Sequence, residues 1–373
     1  MMMDHGEGEL LALLARLVAI DTPSGDRAGM MAAGEVLAAQ LRKLGMELET
    51  IIDPAGGVHF KAEIGRGPKV VLLAHLDTVF PLGTAAERPF KIAGDSAYGP
   101  GVSDCKGGVV AVLGALRRLW ADGWPAVRII CLFNGDEELG SPGSRFSLAE
   151  MAEEAVAVLV VEPAAGEELV TVSRQGIGRF TLRVCGKAAH SGSDYAKGRS
   201  AVLELAHKIL AVHALTDLAA GVTLNVGAIG GGTRPNVVPD SAWAEIDLRV
   251  KEESQIGPIL AALERIAAEK TVPETSATLS GGITRPPLPP KEANLRLFRS
   301  LEEVGRRLGI QLKPFCSGGG SDANLVAALG VPTLDGLGPA GGGHHSAAEF
   351  MSIPSLYRRV ELLAEFLRAL AGG

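Results

Sequence analysis

In SRQGIGRFTLRVCG, residues 173–186, Phe180, Leu182 and Val184 alternate with Arg179, Thr181 and Arg183. Successive side chains of a strand point to opposite faces, so this stretch predicts a sheet with one buried face and one solvated face. The strands before it are of another kind. KVVLLAHLD (69–77), VRIICLFNGDEE (127–138) and AVAVLVVEP (155–163) contain short continuous apolar runs, with helical patterns among them at MMAAGEVLAAQLRKLG (30–45) and GGVVAVLGALRRLW (107–120). Strands that are apolar on both faces and separated by helices require a mainly parallel sheet covered on both sides, which is an α/β core.

Beyond residue 173 the pattern gives a strand at 175–185, a helix at 198–214, strands at 222–229 and 240–250, a helix at 254–269 and a strand at 273–280. That βαββαβ order describes a ferredoxin-like unit. The proline-rich TRPPLPPKE (284–292) reads as a linker, because consecutive prolines offer a sheet no donors. The core pattern then resumes, with a helix at 292–308, the glycine loop CSGGGSDA, a strand near GVPTLDG and a helix at 353–370. The expected organisation is a catalytic domain of residues 1–173 and 285–373, interrupted by an inserted domain of residues 174–284.

The 373 residues are 47% apolar, ample for two cores, and carry a net charge of −7. With no basic block, the chain has no nucleic-acid footprint and no attraction to anionic membranes, so a small-molecule partner is expected. Cys105, Cys131, Cys185 and Cys316 lie far apart without a CxxC pair, which suggests neither a disulfide scaffold nor a thiolate zinc site and fits a reduced, cytoplasmic setting. The opening MMMDHGEGELLALLARLVAIDTPSGD is acidic ahead of its apolar stretch, and Glu9 and Arg16 interrupt it at helical spacing. It reads as an amphipathic helix, not a signal peptide, and no apolar run is long enough to span a bilayer.

Chemistry-bearing residues gather wherever a core strand ends. His75 and Asp77 close KVVLLAHLD, Asp104 sits in GPGVSDCKGG, Glu137 and Glu138 close VRIICLFNGDEE, Glu162 closes AVAVLVVEP, and His344 and His345 occupy GGGHHSAAEF. Each has an ordinary reading alone: a hydrogen-bonded loop histidine, a turn aspartate, a capping acid. Together they fall where open α/β sheets bind ligands, in the crevice at the carboxyl ends of the strands. Imidazole and carboxylate donors suit Zn²⁺, Mn²⁺ or Co²⁺, and two histidines with three or four carboxylates exceed the needs of one tetrahedral zinc. Two metals sharing a carboxylate would use the surplus, and such a pair polarises a carbonyl and lowers the pKa of water to about 7.

The motifs AHLDTVF, GPGVSDCKGG, NGDEELGS, VVEPA, AAHSG, GTRPNVVPD, SGGGSDAN and GGHHSAAEF, in this order over nearly the whole chain, resemble the M20 metallopeptidases, most closely the glutamate carboxypeptidase (carboxypeptidase G2-like) branch. The resemblance implies a two-zinc catalytic domain interrupted by a ferredoxin-like lid that forms a homodimer. It makes His75 and Glu162 ligands of one zinc, Glu138 and His345 ligands of the other, and Asp104 the bridge. Glu137 becomes the general base and Asp77 the partner that orients His75. His345 is preferred to His344 because the family's ligand directly precedes a small polar residue and lies a few residues before a glutamate, here Ser346 and Glu349. Cys105 departs from the family's usual Met or Asp and reads as a small filler. The same resemblance gives His190 to the oxyanion, from the partner subunit, and Asn236 and Arg285 to substrate; Arg234 reads as solvation. The SGGGSDA loop around Gly319 offers backbone N–H groups to a carboxylate, but lacks the Lys and Ser/Thr of a phosphate loop.

The implied function is hydrolysis of an amide next to a free α-carboxylate, releasing a C-terminal glutamate or similar residue, with two Zn²⁺ per subunit and Co²⁺ or Mn²⁺ as substitutes. Deacylation of N-acyl amino acids, of the N-acetylornithine or succinyl-diaminopimelate type, is the alternative within the same chemistry. A non-catalytic binding protein on the same fold is the alternative outside it.

Overall fold

The computed structural model describes residues 5–372, so Met1–Asp4 of the expected opening helix and Gly373 lie outside the described residues. The chain divides into two compact units. The first is the chain up to Ser173 with Pro290–Ser317 and the residues from Ser321 onward; the second is Arg174–Pro289 with Gly318–Gly320.

The first unit is built on a six-stranded sheet in the order Leu48–Ile52, Val58–Ile64, Arg128–Asn134, Lys69–His75, Ala157–Val160 and Thr333–Leu334. The last four are parallel, and the first two form an antiparallel hairpin on one edge. Every residue of Lys69–His75 after Lys69 is buried, as is every residue of Arg128–Asn134 after Arg128, which is why these segments are apolar throughout. Helices His5–Val18, Arg27–Arg42, Lys106–Ala121, Glu292–Arg307 and Ile353–Ala371 share one core with the sheet. Fully buried leucines such as Leu14, Leu17 and Leu37 each contribute about 1.5–3 kcal/mol. The helices start on local signals: Asp26 accepts the Gly29 N–H at 2.9 Å, and Ser352 caps the last helix ahead of Pro354.

The connections out of the His75 strand decide where a ligand can bind. The chain passes through Lys106–Ala121 to Arg128–Asn134 on one side of that strand, then through Arg145–Ala152 to Ala157–Val160 on its other side. The switch leaves a crevice at the carboxyl end of the central strand.

The second unit has an antiparallel sheet in the order Thr223–Gly231, Ser241–Val250, Gly176–Cys185 and Ser276–Arg285. Phe180, Leu182 and Val184 pack with Leu205, Leu263 and Ile266 from helices Ala201–His213 and Ile256–Ala268. The arrangement is ferredoxin-like. The strand expected at 273–280 instead begins at Ser276 and runs to Arg285, into the segment read as linker. Gly281 does not break it: a Cβ there would lie 2.1 Å from the Arg179 carbonyl oxygen, so glycine permits the pairing. The prolines at 286 and 287 are what follow the strand's end. The edge hairpin of the first unit escaped the sequence reading, because Leu48–Ile52 is half-exposed and lacks a continuous apolar run.

Gly108, in the first turn of helix Lys106–Ala121, passes so close to the segment carrying Glu162 that a Cβ would sit 2.1 Å from the Val161 carbonyl oxygen. Gly108→Ala is expected to lower stability by about 1–3 kcal/mol. Urea unfolding checks this, and an unchanged midpoint would contradict the close packing.

Candidate metal centre

His75, 1% exposed, ends the central strand. Its Nδ1 lies 2.9 Å from the Asp77 carbonyl oxygen, and its Nε2 faces Asp104 Oδ1 at 3.0 Å and Glu162 Oε1 at 3.7 Å. With Nδ1–H donated to that carbonyl, Nε2 is the nitrogen turned to the carboxylates. The other Asp104 oxygen lies 3.3 Å from His345 Nε2, which is also 3.3 Å from Glu138 Oε2. Asp104 therefore stands between two imidazoles, each with a further carboxylate beside it. His344 turns elsewhere, its Nε2 3.1 Å from Ser103 Oγ. His345 has φ of 60°, a left-handed conformation uncommon for a residue with a side chain.

The loop after Asn134 hangs from buried acceptors. Asp77 Oδ1 and Oδ2 accept the backbone N–H groups of Glu137 and Glu138, each at 3.2 Å, while Ser24 Oγ donates to Asp77 at 2.6 Å. The same carboxylate lies 3.4 Å from His75 Nδ1, so Asp77 sets both the strand end and the paired glutamates. Asp136 accepts from the Gly143 and Ser144 N–H groups at 2.8 and 3.0 Å. Asp322 accepts from Asn134 Nδ2 at 2.5 Å and from Ser141 Oγ. Glu137 is near enough to Glu162 and His345 for its charge to act on both.

Burial and like charge shape the ionisation of this cluster. Burial pushes the Glu138 carboxyl up to about 7 and Glu162 well above the usual carboxylate range, with Asp104 adding to both. Burial also opposes charge on Asp104, yet hydrogen bonds from His345 and His75 hold it far below that range. On His75, burial disfavours the cation, but the Glu162 charge and the contacts to Asp104 and Asp77 raise it well above its ordinary value. His345 is raised to about 9 by its hydrogen bond to Asp104, against burial and with help from Glu138. Protons thus hold together donors that divalent cations can hold instead, and the donor set fits two such ions.

Two neighbouring groups have other work. Cys105 Sγ, within 4.8 Å of His75 and Glu162 donor atoms, donates to the Val161 carbonyl at 3.1 Å, and burial pushes its thiol well up, so it packs as a thiol. In the cluster Asp53–His59–Asp136, His59 Nδ1 accepts the Gly135 N–H at 3.2 Å and Nε2 meets Asp53 at 3.1 Å. Both ring nitrogens are engaged, which makes it a latch under the Glu137 loop.

The remaining residues singled out from the sequence lie in the second unit. His190 pairs with Val237 next to Asn236; the Ser191 N–H donates to the Asn236 carbonyl at 3.0 Å. His190 Nδ1 accepts the Gly192 and Ser193 N–H groups at 3.1 Å, leaving Nε2 to donate. Arg285 is buried, and its Cδ would lie 2.9 Å from a Cβ at Gly320, beside Gly319, whose carbonyl accepts from Arg174 at 3.2 Å. Sequence reasoning missed the supporting acceptors Asp136 and Asp322, the latch His59, and the buried Glu349 beyond its use as a marker for His345. For Asp136 and Asp322 the adjoining Gly135 and Ser321 were the available signal; His59 and Glu349 have no such adjoining residue.

The family model "Peptidase family M20/M25/M40" matches residues 71–369. Carboxypeptidase G2 of Pseudomonas sp. (strain RS-16) is 34% identical over 379 residues, covering 98% of this chain and 90% of that protein. N-acetyl-L-citrulline deacetylase of Xanthomonas campestris pv. campestris is 28% identical over 93% of this chain and 94% of that protein. A solved Bacillus subtilis structure, described as a dinuclear metal binding peptidase from the M20 family, superposes with a TM-score of 0.73 at 17% identity, covering 98% of this chain and 99% of that one.

The raised histidines stabilise the metal-free fold below about pH 6.5 and cease to do so as pH passes their folded values, about 9 for His345. The raised Glu138 and Glu162 act in the same direction, since the folded chain keeps protons that the unfolded chain releases above about 4.5. Melting temperature in chelator is therefore expected to fall as pH rises from about 5 to about 9, and Zn²⁺ is expected to flatten that slope. A pH-independent melting temperature in chelator would contradict it.

Proposed function

The chain belongs to peptidase family M20/M25/M40, and within it we propose a dinuclear zinc hydrolase that cleaves an amide bond next to a free α-carboxylate, releasing a C-terminal glutamate or similar amino acid. The observation that carries this reading is Asp104 set between His75 with Glu162 and His345 with Glu138. These five residues would hold the two metals, with Co²⁺ or Mn²⁺ as substitutes. Bound there, the pair supplies Lewis acidity to the scissile carbonyl and lowers the pKa of water to about 7.

The chain's own groups do the rest. Glu137 takes the proton of the attacking water and passes it to the leaving nitrogen. Asp77 keeps Glu137 in reach by holding its backbone N–H, and keeps the His75 ring in one tautomer. His190, with Nδ1 fixed by two backbone donors, offers Nε2–H to the oxyanion. It would do so across a homodimer formed through the 174–284 domain, as in the family resemblance. Arg285 and the Gly319 loop suit a substrate carboxylate, with Asn236 beside His190 as a further polar contact. The free cysteines among the described residues, and the lack there of any helix long and apolar enough to cross a membrane, support a cytoplasmic assignment. A second reading, N-acyl amino acid deacylase, draws on the likeness to the citrulline deacetylase.

A panel of folate-like glutamate conjugates, dipeptides and N-acyl amino acids with added Zn²⁺ or Co²⁺ separates the two readings. Release of glutamate from the conjugates is expected to rank first, and a preference for short N-acyl amino acids would move the chain to the deacylases. Glu137→Ala is expected to lower kcat by about 10²–10⁴-fold or more with metal content unchanged. Retained turnover would remove Glu137 from the mechanism.

A further inference from the structure

The Asp104 and His345 loops leave the same end of a small antiparallel sheet. Strand Phe350–Ser352 pairs with Ser96–Tyr98 in the register Phe350↔Tyr98, and Gly341–Gly342 flanks it on the other side. The chain runs from Tyr98 to Asp104 in one loop and from Gly342 through His345 to Phe350 in the other. Glu349, 2% exposed, lies at the root of the second loop and reaches into the first. Its Oε2 accepts the Gly101 N–H at 2.9 Å, and its Oε1 accepts those of Ser103 and Asp104 at 2.9 and 3.0 Å.

Glu349 is also tied to His345 through a tight loop. Ser346 N and Oγ both donate to the Gly343 carbonyl, at 3.1 and 2.6 Å, and the Ala348 N–H returns to Ser346 Oγ at 3.2 Å. A Cβ on Gly343 would sit 2.5 Å from the Ala348 carbonyl oxygen, so the turn has no slack. From outside, Arg88, stacked over the Phe80 ring at 4.4 Å, donates to the Ser346 carbonyl at 3.1 Å. The loop is closed on itself and joined to its neighbour chiefly through one buried carboxylate.

Resting on the dinuclear reading above, we propose that Glu349 is a positioning residue that fixes the separation of Asp104 from His345 and thereby the affinity of the metal held by Glu138 and His345. Three charge-assisted amide contacts on two oxygens cannot be kept by an amide side chain, since one end of Gln would present N–H to N–H. Loss of an orienting partner of a ligand costs metal affinity by about 10–100-fold. The His75 and Glu162 pair does not pass through Glu349, so the second metal, which shares only Asp104 with these loops, is the less affected of the two.

Glu349→Gln and Glu349→Asp, checked for folding by circular dichroism, are titrated with Co²⁺ alongside wild type, following absorption and calorimetric stoichiometry. Wild type is expected to take two ions per chain. The variants are expected to bind the ion at Glu138 and His345 about 10–100-fold more weakly, with an altered Co²⁺ spectrum at that step, and the other ion with a smaller loss. Ser103→Ala, which removes the other loop contact, is expected to bind both as wild type does. Folded variants that bind two ions with unchanged affinities and spectrum overturn the role of Glu349 while leaving the metallohydrolase reading intact. A wild type that binds no ion overturns both. Failure of both variants to fold makes Glu349 a determinant of the fold and ends the proposal.

Discussion

Like charges buried together must be compensated, and the carboxyl end of the His75 strand gathers more carboxylate than its surroundings can leave ionised. Asp104, Glu138 and Glu162 stand within a few ångströms of two imidazoles, and burial together with the Asp104 charge drives Glu138 and Glu162 toward the neutral acid. The sheet makes this collection unavoidable, because parallel strands deliver their ends to one side and the order of connections opens a gap there. Protons compensate the clustered charge in the metal-free chain, and divalent cations could take their place. That interdependence separates the cluster from a set of ordinary turn acids.

A second tier of acids surrounds the first, and its oxygens are satisfied by other means. Asp77, Asp136 and Glu349 are satisfied by backbone N–H groups and Asp322 by side-chain donors, often across long sequence separations. Glu137 and Glu138 can sit side by side in this setting because Asp77 grips their backbones and leaves the side chains to different tasks. Lys106 balances part of this negative charge. Its ammonium donates to the Ile20 carbonyl at 2.8 Å, and burial draws it down to about 8 against the pull of Glu349 and Asp21. The carboxylates facing the crevice thus rest on carboxylates turned into the protein.

What could be read from the sequence follows from how local each signal is. The strands at Lys69 and Arg128 announce themselves, since burial on both faces imposes an apolar run. The alternation through Phe180, Leu182 and Val184 announces a one-sided sheet in the same way. The positions of His75, Glu138 and Glu162 follow from strand ends once the sheet is granted, and Asp104 stands out by its glycine-rich turn ahead of helix Lys106–Ala121. The edge hairpin at 48–64 was not legible, because an edge strand need not be apolar throughout. Nor was the extension of the strand to Arg285, which depends on Gly281 meeting a partner a hundred residues away. The roles of His59, Asp322 and Glu349 depend on contacts from distant loops, and no short window carries that. The adjacent His344 and His345 look alike in sequence, and a left-handed backbone and a serine neighbour tell them apart.

The chain order of the converging side chains bears on how the protein is made. His75, Asp104, Glu138 and Glu162 all lie in the first half of the sequence, and His345 arrives only just ahead of the last helix, Ile353–Ala371. A growing chain carries five of the six central strands and four members of the cluster well before Thr333–Leu334 and His345 emerge. A chain cut anywhere between Glu162 and His345 would therefore retain a carboxylate-rich crevice without its second imidazole, and an acid-rich hollow lacking that balance is chemically distinct from the finished cluster.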